Sequence, residues 1–294
     1  MPATDEIAPL SPDQCQAWLA RIGIDTAPDA PTLAALDTLI GAHLAHIPFE
    51  NLDPLTGCPV RTDLPAVFGK LVRQGRGGYC FELNTLFCAG LKALGYTVVP
   101  LAARVRWNVA PDTPTGLSHM LLRVEVGHEG YIADVGFGGP TPDRALPLSL
   151  PANAAAPYRL QPVQAGGGAF HTYDLAVRGA DAGTGDWHVM YRFDLTPQPQ
   201  IDFVARNWYV STHPDSLFTH TLMAARTDAG VRLTLGNGQF AERAADGSVR
   251  KQRLESADAV IHILEKRFGI RLDDALRSAL AGTLPALLAA GTPP

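Results

Sequence analysis

Arg76-Gly77-Gly78-Tyr79-Cys80-Phe81-Glu82-Leu83-Asn84 opens the stretch on which the reading of this chain turns. Beyond Cys80, the residues Leu83, Leu86, Phe87, Leu91 and Leu94 recur at three- and four-residue intervals, the period of a buried helix face. Gly95 then stands where a helix takes its C′ glycine. From Tyr96 the pattern changes to short β-prone runs bounded by turn residues, so the stretch predicts a helix that hands over to a sheet.

Working upstream, Ser11-Pro12-Asp13-Gln14 has the form of an N-cap, a proline at the first helical position and a glutamine at the third. Thr32 caps a second helical pattern that ends before Pro48. Downstream, segments 97–107, 120–126, 131–135, 173–177 and 187–195 read as strands of a meandering sheet or small barrel. Segments 108–117 and 138–169, rich in Pro, Gly and Ala, read as loops. A short connecting helix over 201–209 follows. Segments 221–226, 231–235, 239–244 and 248–254 then form a second antiparallel meander, with turns such as Gly236-Asn237-Gly238 between them. Ser256 caps a helix that stops at Gly269, and the tail from Leu272 is Ala/Leu-rich and helical in pattern.

The 294 residues, 46% hydrophobic and 18% charged, suffice for two or three domains with real cores. Lys plus Arg number 24 against 29 Asp plus Glu, a formal charge of −5, which leaves no basic excess for a nucleic-acid backbone. No apolar run reaches the ~18 residues of a membrane span. Four cysteines, Cys15, Cys58, Cys80 and Cys88, are too few to staple this length. The expectation is a cytoplasmic protein with free thiols, no membrane and no nucleic-acid partner.

Of the four, Cys80 has the surroundings of a nucleophile. Two glycines allow close approach of a ligand, and a cysteine in a first helical turn meets the positive end of the helix dipole, which favours the thiolate. Arg76 stands ready to add positive charge. A buried structural thiol is the competing reading, and it is the better one for Cys88, mid-helix beside Phe87. A nucleophilic cysteine needs a base, and the base an orienting group. His119 opens the strand after a loop, and Asp134 lies in the next strand among apolar neighbours, where an unpaired carboxylate is costly. A turn centred on Gly127-His128 sets His119 opposite Gly136 and makes Asp134 its diagonal neighbour on one face. A turn one residue later separates them, so a Cys80–His119–Asp134 triad requires the tighter turn or a bulge. Gly136, Gly138 and Gly139, just past the aspartate, let backbone N–H groups approach a ligand, although a plain turn explains them equally.

The nonapeptide from Arg76 to Asn84, with His119 and Asp134 at these spacings, resembles the arylamine N-acetyltransferase family. Ile47-Pro48-Phe49-Glu50-Asn51-Leu52, the run Asp134 to Gly139, Ser211-Thr212-His213-Pro214 and Leu222-Met223-Ala224-Ala225-Arg226 support the likeness, which spans almost the whole chain. The resemblance implies an α+β fold of three domains around a thiol-protease-like core. These are an N-terminal helical bundle (1–95) carrying Cys80, a β-barrel (96–200) carrying His119 and Asp134, and a connecting helix with a C-terminal α/β lid (201–294). It implies ping-pong transfer of acetyl from acetyl-CoA, a co-substrate, through a Cys80 thioester to an arylamine or hydrazine. No metal is involved. It also places Phe49, Phe137 and Phe218 around the acceptor, and Gly136, Phe137, Gly138 and Gly139 along the coenzyme.

Triad chemistry does not by itself choose the acyl donor. A CoA-independent amide synthase, a thiol hydrolase and a transglutaminase-like enzyme therefore stay open on the residues. A zinc module would need about four ligands at short spacing, and these three are widely dispersed.

Overall fold

The computed structural model describes residues 6–110, 113–149, 157–163, 172–179 and 186–290. Its first part is helical: α1 (Pro12–Arg21), α2 (Leu33–His46), the two-residue strand β1 (Phe49–Glu50), α3 (Leu52–Leu55), α4 (Leu64–Phe68) running into a π turn (Gly69–Arg73), and α5 (Cys80–Ala93). Ser11 and Gln14 form the expected capping box on α1, and Thr32 caps α2 through the Ala35 N–H. Helix α5 is buried on every side from Cys80 to Leu91, not on one face alone. Its polar residues Glu82, Asn84 and Thr85 therefore lie inside the protein. Gly95 follows its end in the left-handed region, φ +86°.

Seven strands follow: β2 (Thr97–Val105), β3 (Leu117–Val126), β4 (Glu129–Ala133), β5 (Leu146–Pro147), β6 (Tyr158–Val163), β7 (Thr172–Arg178) and β8 (Trp187–Asp194). They form one antiparallel sheet in the order β5-β4-β3-β2-β8-β7-β6. All seven strands send residues into a single apolar cluster that includes Leu101, Leu121, Ile132, Leu146, Leu160, Leu175 and Met190. A sheet whose whole length shares one inner cluster is curled on itself, and this one forms a nearly closed barrel. Strands β5 and β6 correct the reading of 138–169 as loop. Two parts of that segment, 150–156 and 164–169, lie outside the described residues.

Helix α6 (Gln200–Thr212) and a 3₁₀ turn (Leu217–Thr219) lead to the second sheet: β9 (Met223–Asp228), β10 (Val231–Gly236), β11 (Gln239–Arg243) and β12 (Val249–Arg253). This meander carries an unexpected edge, because β1 pairs with β9, Phe49 facing Ala225. Helices α7 (Ala257–Lys266) and α8 (Asp274–Ala290) supply Val260, Leu264, Leu280 and Leu284 to its inner core with Leu233, Leu235 and Phe240. Among the described residues no helix is long and apolar enough to cross a membrane.

Candidate active site

The hairpin of β3 and β4 takes the tighter register. Leu122 faces Ala133 and Val126 faces Glu129, with Gly127 at φ +64° in the turn. On the other side of β3 the pairing steps from Ala103↔His119 to Arg104↔Leu117, so Ser118 is an extra, bulged residue immediately before the histidine. Bulges re-aim side chains, and this one sits beside the ring that has to be aimed. The result is a contact of 2.7 Å between His119 Nε2 and Asp134 Oδ2. Cys80, the first residue of α5, completes the group. Its Sγ lies 3.8 Å from the Ser118 carbonyl, and the thiol stands close enough to His119 to help raise the pKa of the ring. Cys80, His119 and Asp134 are 4%, 3% and 3% exposed, so the attraction between His119 and Asp134 is poorly screened.

Burial alone would depress the His119 pKa. The Asp134 carboxylate outweighs that effect and, with Cys80, raises it to about 10. Burial likewise pushes the Asp134 carboxyl up, but His119, the Asn84 amide and the Gly136 N–H together hold it below its ordinary range. As a carboxylate, Asp134 only accepts, so Nε2 carries the proton toward it and Nδ1 is the nitrogen left for the thiol. The Tyr191 ring packs 4.9 Å from the imidazole, and its phenol is raised far above its usual value by burial and then by Asp134.

Arg76 does not serve the thiol. Its guanidinium is 2.8 Å from Glu50 and 2.8 Å from Asp53, while Lys70 Nζ is 2.6 Å from Asp53 and 2.7 Å from Glu82. Three acids and two bases thus form a buried ion cluster against the first turn of α5. Burial raises Glu82 to about 7 despite Lys70, since the neighbouring acids Asp53 and Glu50 add to it. Glu82 also accepts from the Tyr79 N–H and so fixes where α5 starts. Of the remaining thiols, Cys88 is fully buried and desolvated to a pKa of about 12, Cys15 is buried and raised by burial, and Cys58 is exposed.

A cavity of about 800 Å³ opens onto Cys80 and His119, and Phe49, Phe137 and Phe218 all line it. Phe137 meets the His119 ring edge-on at 5.5 Å, and Phe49 meets Phe218 at 6.2 Å. Gly136, Gly138 and Gly139 line it as well. For two of them the packing shows why no side chain fits: a Cβ on Gly136 would stand 2.7 Å from Cys80 Cα, and one on Gly138, at φ +85°, would stand 2.6 Å from the Phe49 ring. The cavity lining also includes a basic group that was not anticipated: Arg232, Arg243 and Lys251. Arg232 and Arg243 are direct cross-strand partners, and Lys251 faces Ala241, which faces Thr234, so these side chains share one face of the sheet. Their alternation within strands 231–235, 239–244 and 248–254 was the available signal. Among the described residues no group of three or more His, Cys, Asp or Glu stands where it could share a metal ion.

The chain is similar to known proteins over most of its length. A sequence profile of the N-acetyltransferase family matches residues 32–277. The arylamine N-acetyltransferase of Mycobacterium tuberculosis is 41% identical over 281 residues, covering 93% of this chain and 95% of the relative. The Salmonella typhimurium arylamine N-acetyltransferase / N-hydroxyarylamine O-acetyltransferase is 37% identical over 88% of this chain and 90% of its own. Among solved structures, the Mycobacterium marinum arylamine N-acetyltransferase in complex with CoA superposes with a TM-score of 0.84 at 36% identity, covering 93% of this chain and 99% of that one.

Proposed function

We propose that this chain, which belongs to the arylamine N-acetyltransferase family, carries acetyl from acetyl-CoA to an arylamine or arylhydrazine through a thioester on Cys80. The observation that carries this reading is the buried Cys80–His119–Asp134 group opening onto a cavity lined by both aromatic and basic side chains. That the chain is an acyltransferase acting with acetyl-CoA on arylamines follows from the family. The residue roles are inferred from the geometry.

The His119 imidazolium stabilises the Cys80 thiolate, which attacks the acetyl carbonyl. A C–S bond to Cys80 forms, the bond to the coenzyme sulfur breaks, and the leaving thiolate takes the proton from His119. The acceptor amine then attacks the thioester. Its nitrogen bonds to the acetyl carbon, its proton goes to His119, and Cys80 leaves as thiolate, restoring the starting pair. Asp134 fixes the ring tautomer and stabilises its charge in both halves. The backbone N–H of Cys80, in the first turn of α5, donates to the developing oxyanion.

Phe49, Phe137 and Phe218 provide flat apolar surfaces suited to an aromatic acceptor. The glycine run 136–139 lies along the pantetheine arm, where backbone can approach the ligand without side chains between. Arg232, Arg243 and Lys251 meet the phosphates. A local cationic wall is what a chain of net charge −5 needs to hold so acidic a donor.

The division into a helical unit (1–95), a barrel (96–200) and a lid (201–294) around a thiol-protease-like core is supported by separate apolar clusters for the barrel and for the second sheet with α7 and α8. The strand β1, contributed by the first unit to the sheet of the third, ties the lid to the base of the site. Four unpaired cysteines fit a reducing, cytoplasmic setting. Mass spectrometry after mixing with acetyl-CoA tests the reading. One acetyl is expected on the peptide holding Cys80, and p-aminobenzoate should release it. Undiminished transfer by a folded Cys80→Ala variant would overturn it.

A further inference from the structure

We propose that Asn84 is a positioning residue for the reaction: its single side-chain amide sets the Asp134 carboxylate plane and fixes the strand end that carries His119 relative to the helix that carries Cys80. The inference rests on the roles assigned above to Cys80, His119 and Asp134.

Asn84 is fully buried on α5, four residues and so about one turn beyond Cys80. A side-chain amide offers two N–H donors and two lone pairs, and three of these four capacities are used. Nδ2 donates to the Met120 carbonyl at 2.8 Å and to Asp134 Oδ1 at 3.0 Å, while Oδ1 accepts from the Val135 N–H at 3.2 Å. Every partner is Asp134 itself or the residue directly after His119 or Asp134. Two acceptors on one side and an N–H on the other also leave the amide one orientation.

The consequence falls on Asp134. Its Oδ1 takes the Asn84 N–H and the Gly136 N–H, the latter at 2.8 Å, which leaves Oδ2 alone for His119. Two donors from different elements fix the plane of the carboxylate. Without the first of them, the Gly136 N–H still holds Oδ1, but no bond ties the carboxylate to the helix that carries Cys80, and the imidazole loses its aim at the thiol. Neither capacity can be replaced by another residue type in place. Alanine strands the buried Val135 N–H and withdraws a donor from Asp134, whereas aspartate keeps the shape but sets a second carboxylate against the first.

The test measures three properties of Asn84→Ala and the near-isosteric Asn84→Asp. These are the single-turnover rate of Cys80 acetylation, the KM for the arylamine, and the pH profile of Cys80 alkylation by iodoacetamide. A misplacement of about 1 Å costs roughly 10²-fold in rate, so Asn84→Ala is expected to lose about that in acetylation while KM for the amine stays within about twofold. The alkaline limb of its alkylation profile moves to lower pH, because the imidazolium is less well held. Asn84→Asp recovers toward acid, where one proton shared by the two carboxylates restores a donor to Asp134. A purely structural asparagine would lower the melting temperature and leave both the profile and the rate of the folded fraction unchanged, and that result overturns the proposal. If Asn84→Ala does not fold, the profile of Asn84→Asp decides alone. Should wild-type protein take no acetyl from acetyl-CoA, the functional reading fails, yet the alkylation profiles still judge Asn84.

Discussion

Replacing Asp134 by asparagine changes one atom's identity and removes one charge, and both changes act on the imidazole. In the wild type, burial pulls the His119 imidazole down and Asp134 at 2.7 Å more than reverses it, taking the pKa from 6.5 to about 10. Each pKa unit is worth about 1.4 kcal/mol, so the imidazolium is stabilised by up to about 5 kcal/mol in the fold. Without the carboxylate its largest support is gone, and the depressing effect of burial is opposed by Cys80 alone, so the imidazolium is held far less firmly. The tautomer is lost as well. The Asn84 and Gly136 N–H groups both donate to the Oδ1 position, so the amide oxygen of the variant belongs there and its NH₂ turns toward His119. The ring must then accept at Nε2 and carry its proton on Nδ1, facing the thiol. The acetylation half-reaction is expected to slow about 10⁴-fold, the magnitude seen when a triad loses its charge and its tautomer together. Stability gives an independent readout. A His whose folded pKa is raised contributes stability that is complete below its unfolded pKa and is lost as pH rises through the folded one. The wild type should therefore weaken between pH 6.5 and about 10 in urea titrations, and Asp134→Asn should lack that decline. A variant that acetylates within tenfold of wild type and keeps the alkaline decline would refute the reasoning.

Lys70→Met removes the cation from between Asp53 and Glu82 and leaves Glu82, 1% exposed, without its nearest partner. Breaking a buried pair in this way costs about 3–5 kcal/mol. Because Glu82 is already raised to about 7, the loss should be larger at pH 8 than at pH 6 in urea denaturation, and an equal loss at both would contradict it. Gly136→Ala forces a Cβ to within 2.7 Å of Cys80 Cα and 2.8 Å of Asn84 Nδ2, so backbone must move at the nucleophile. Acetylation should fall about 10²-fold, whereas Gly282→Ala on α8, with nothing within 4 Å of its new methyl, should leave the rate unchanged.

The parts of this fold that were legible in the sequence are those in which a local pattern has one physical outcome. The Ser11–Gln14 box, the Thr32 cap and the Gly95 stop each satisfy backbone groups within a few residues. A side-chain period of two left two registers for the His119–Asp134 hairpin, the triad required the tighter of them or a bulge, and the structure takes the tighter one. Elements too short to have a period were not legible. Strands β1 and β5 have two residues each, and β6 carries Pro162, which reads against a strand. Charges were misjudged for a related reason. Arg76 stands four residues from Cys80 in sequence, but Glu50 and Asp53, more than twenty residues upstream, claim it, and nothing local announces such a pairing. Asn84 was visible as a helical position in a motif, while its three partners, one in β3 and two just past the end of β4, lie 36 to 51 residues away.

The misassigned arginine shows how the site is held. The Glu50 N–H donates to the Gly78 carbonyl at 2.8 Å, and Phe49 bridges to Gly78, so the chain just before Cys80 is stitched to β1. Strand β1 is at once the edge of the second sheet, the carrier of Glu50 for the ion cluster, and the carrier of Phe49 for the cavity wall. The Gly77 position permits the stitch because a Cβ there would stand 2.2 Å from the Pro48 carbonyl oxygen. The glycines before the cysteine therefore serve first to bring β1 against the start of α5. That contact fixes Cys80 and Phe49 in one frame. On the far side of α5, Asn84 ties Asp134 and Met120, the residue after His119, into the same frame. Acyl transfer demands that thiol, imidazole and acceptor surface keep their relative positions through two half-reactions with different partners bound. A single helix, anchored by charge on one side and by an amide on the other, meets that demand without help from the loops around the cavity.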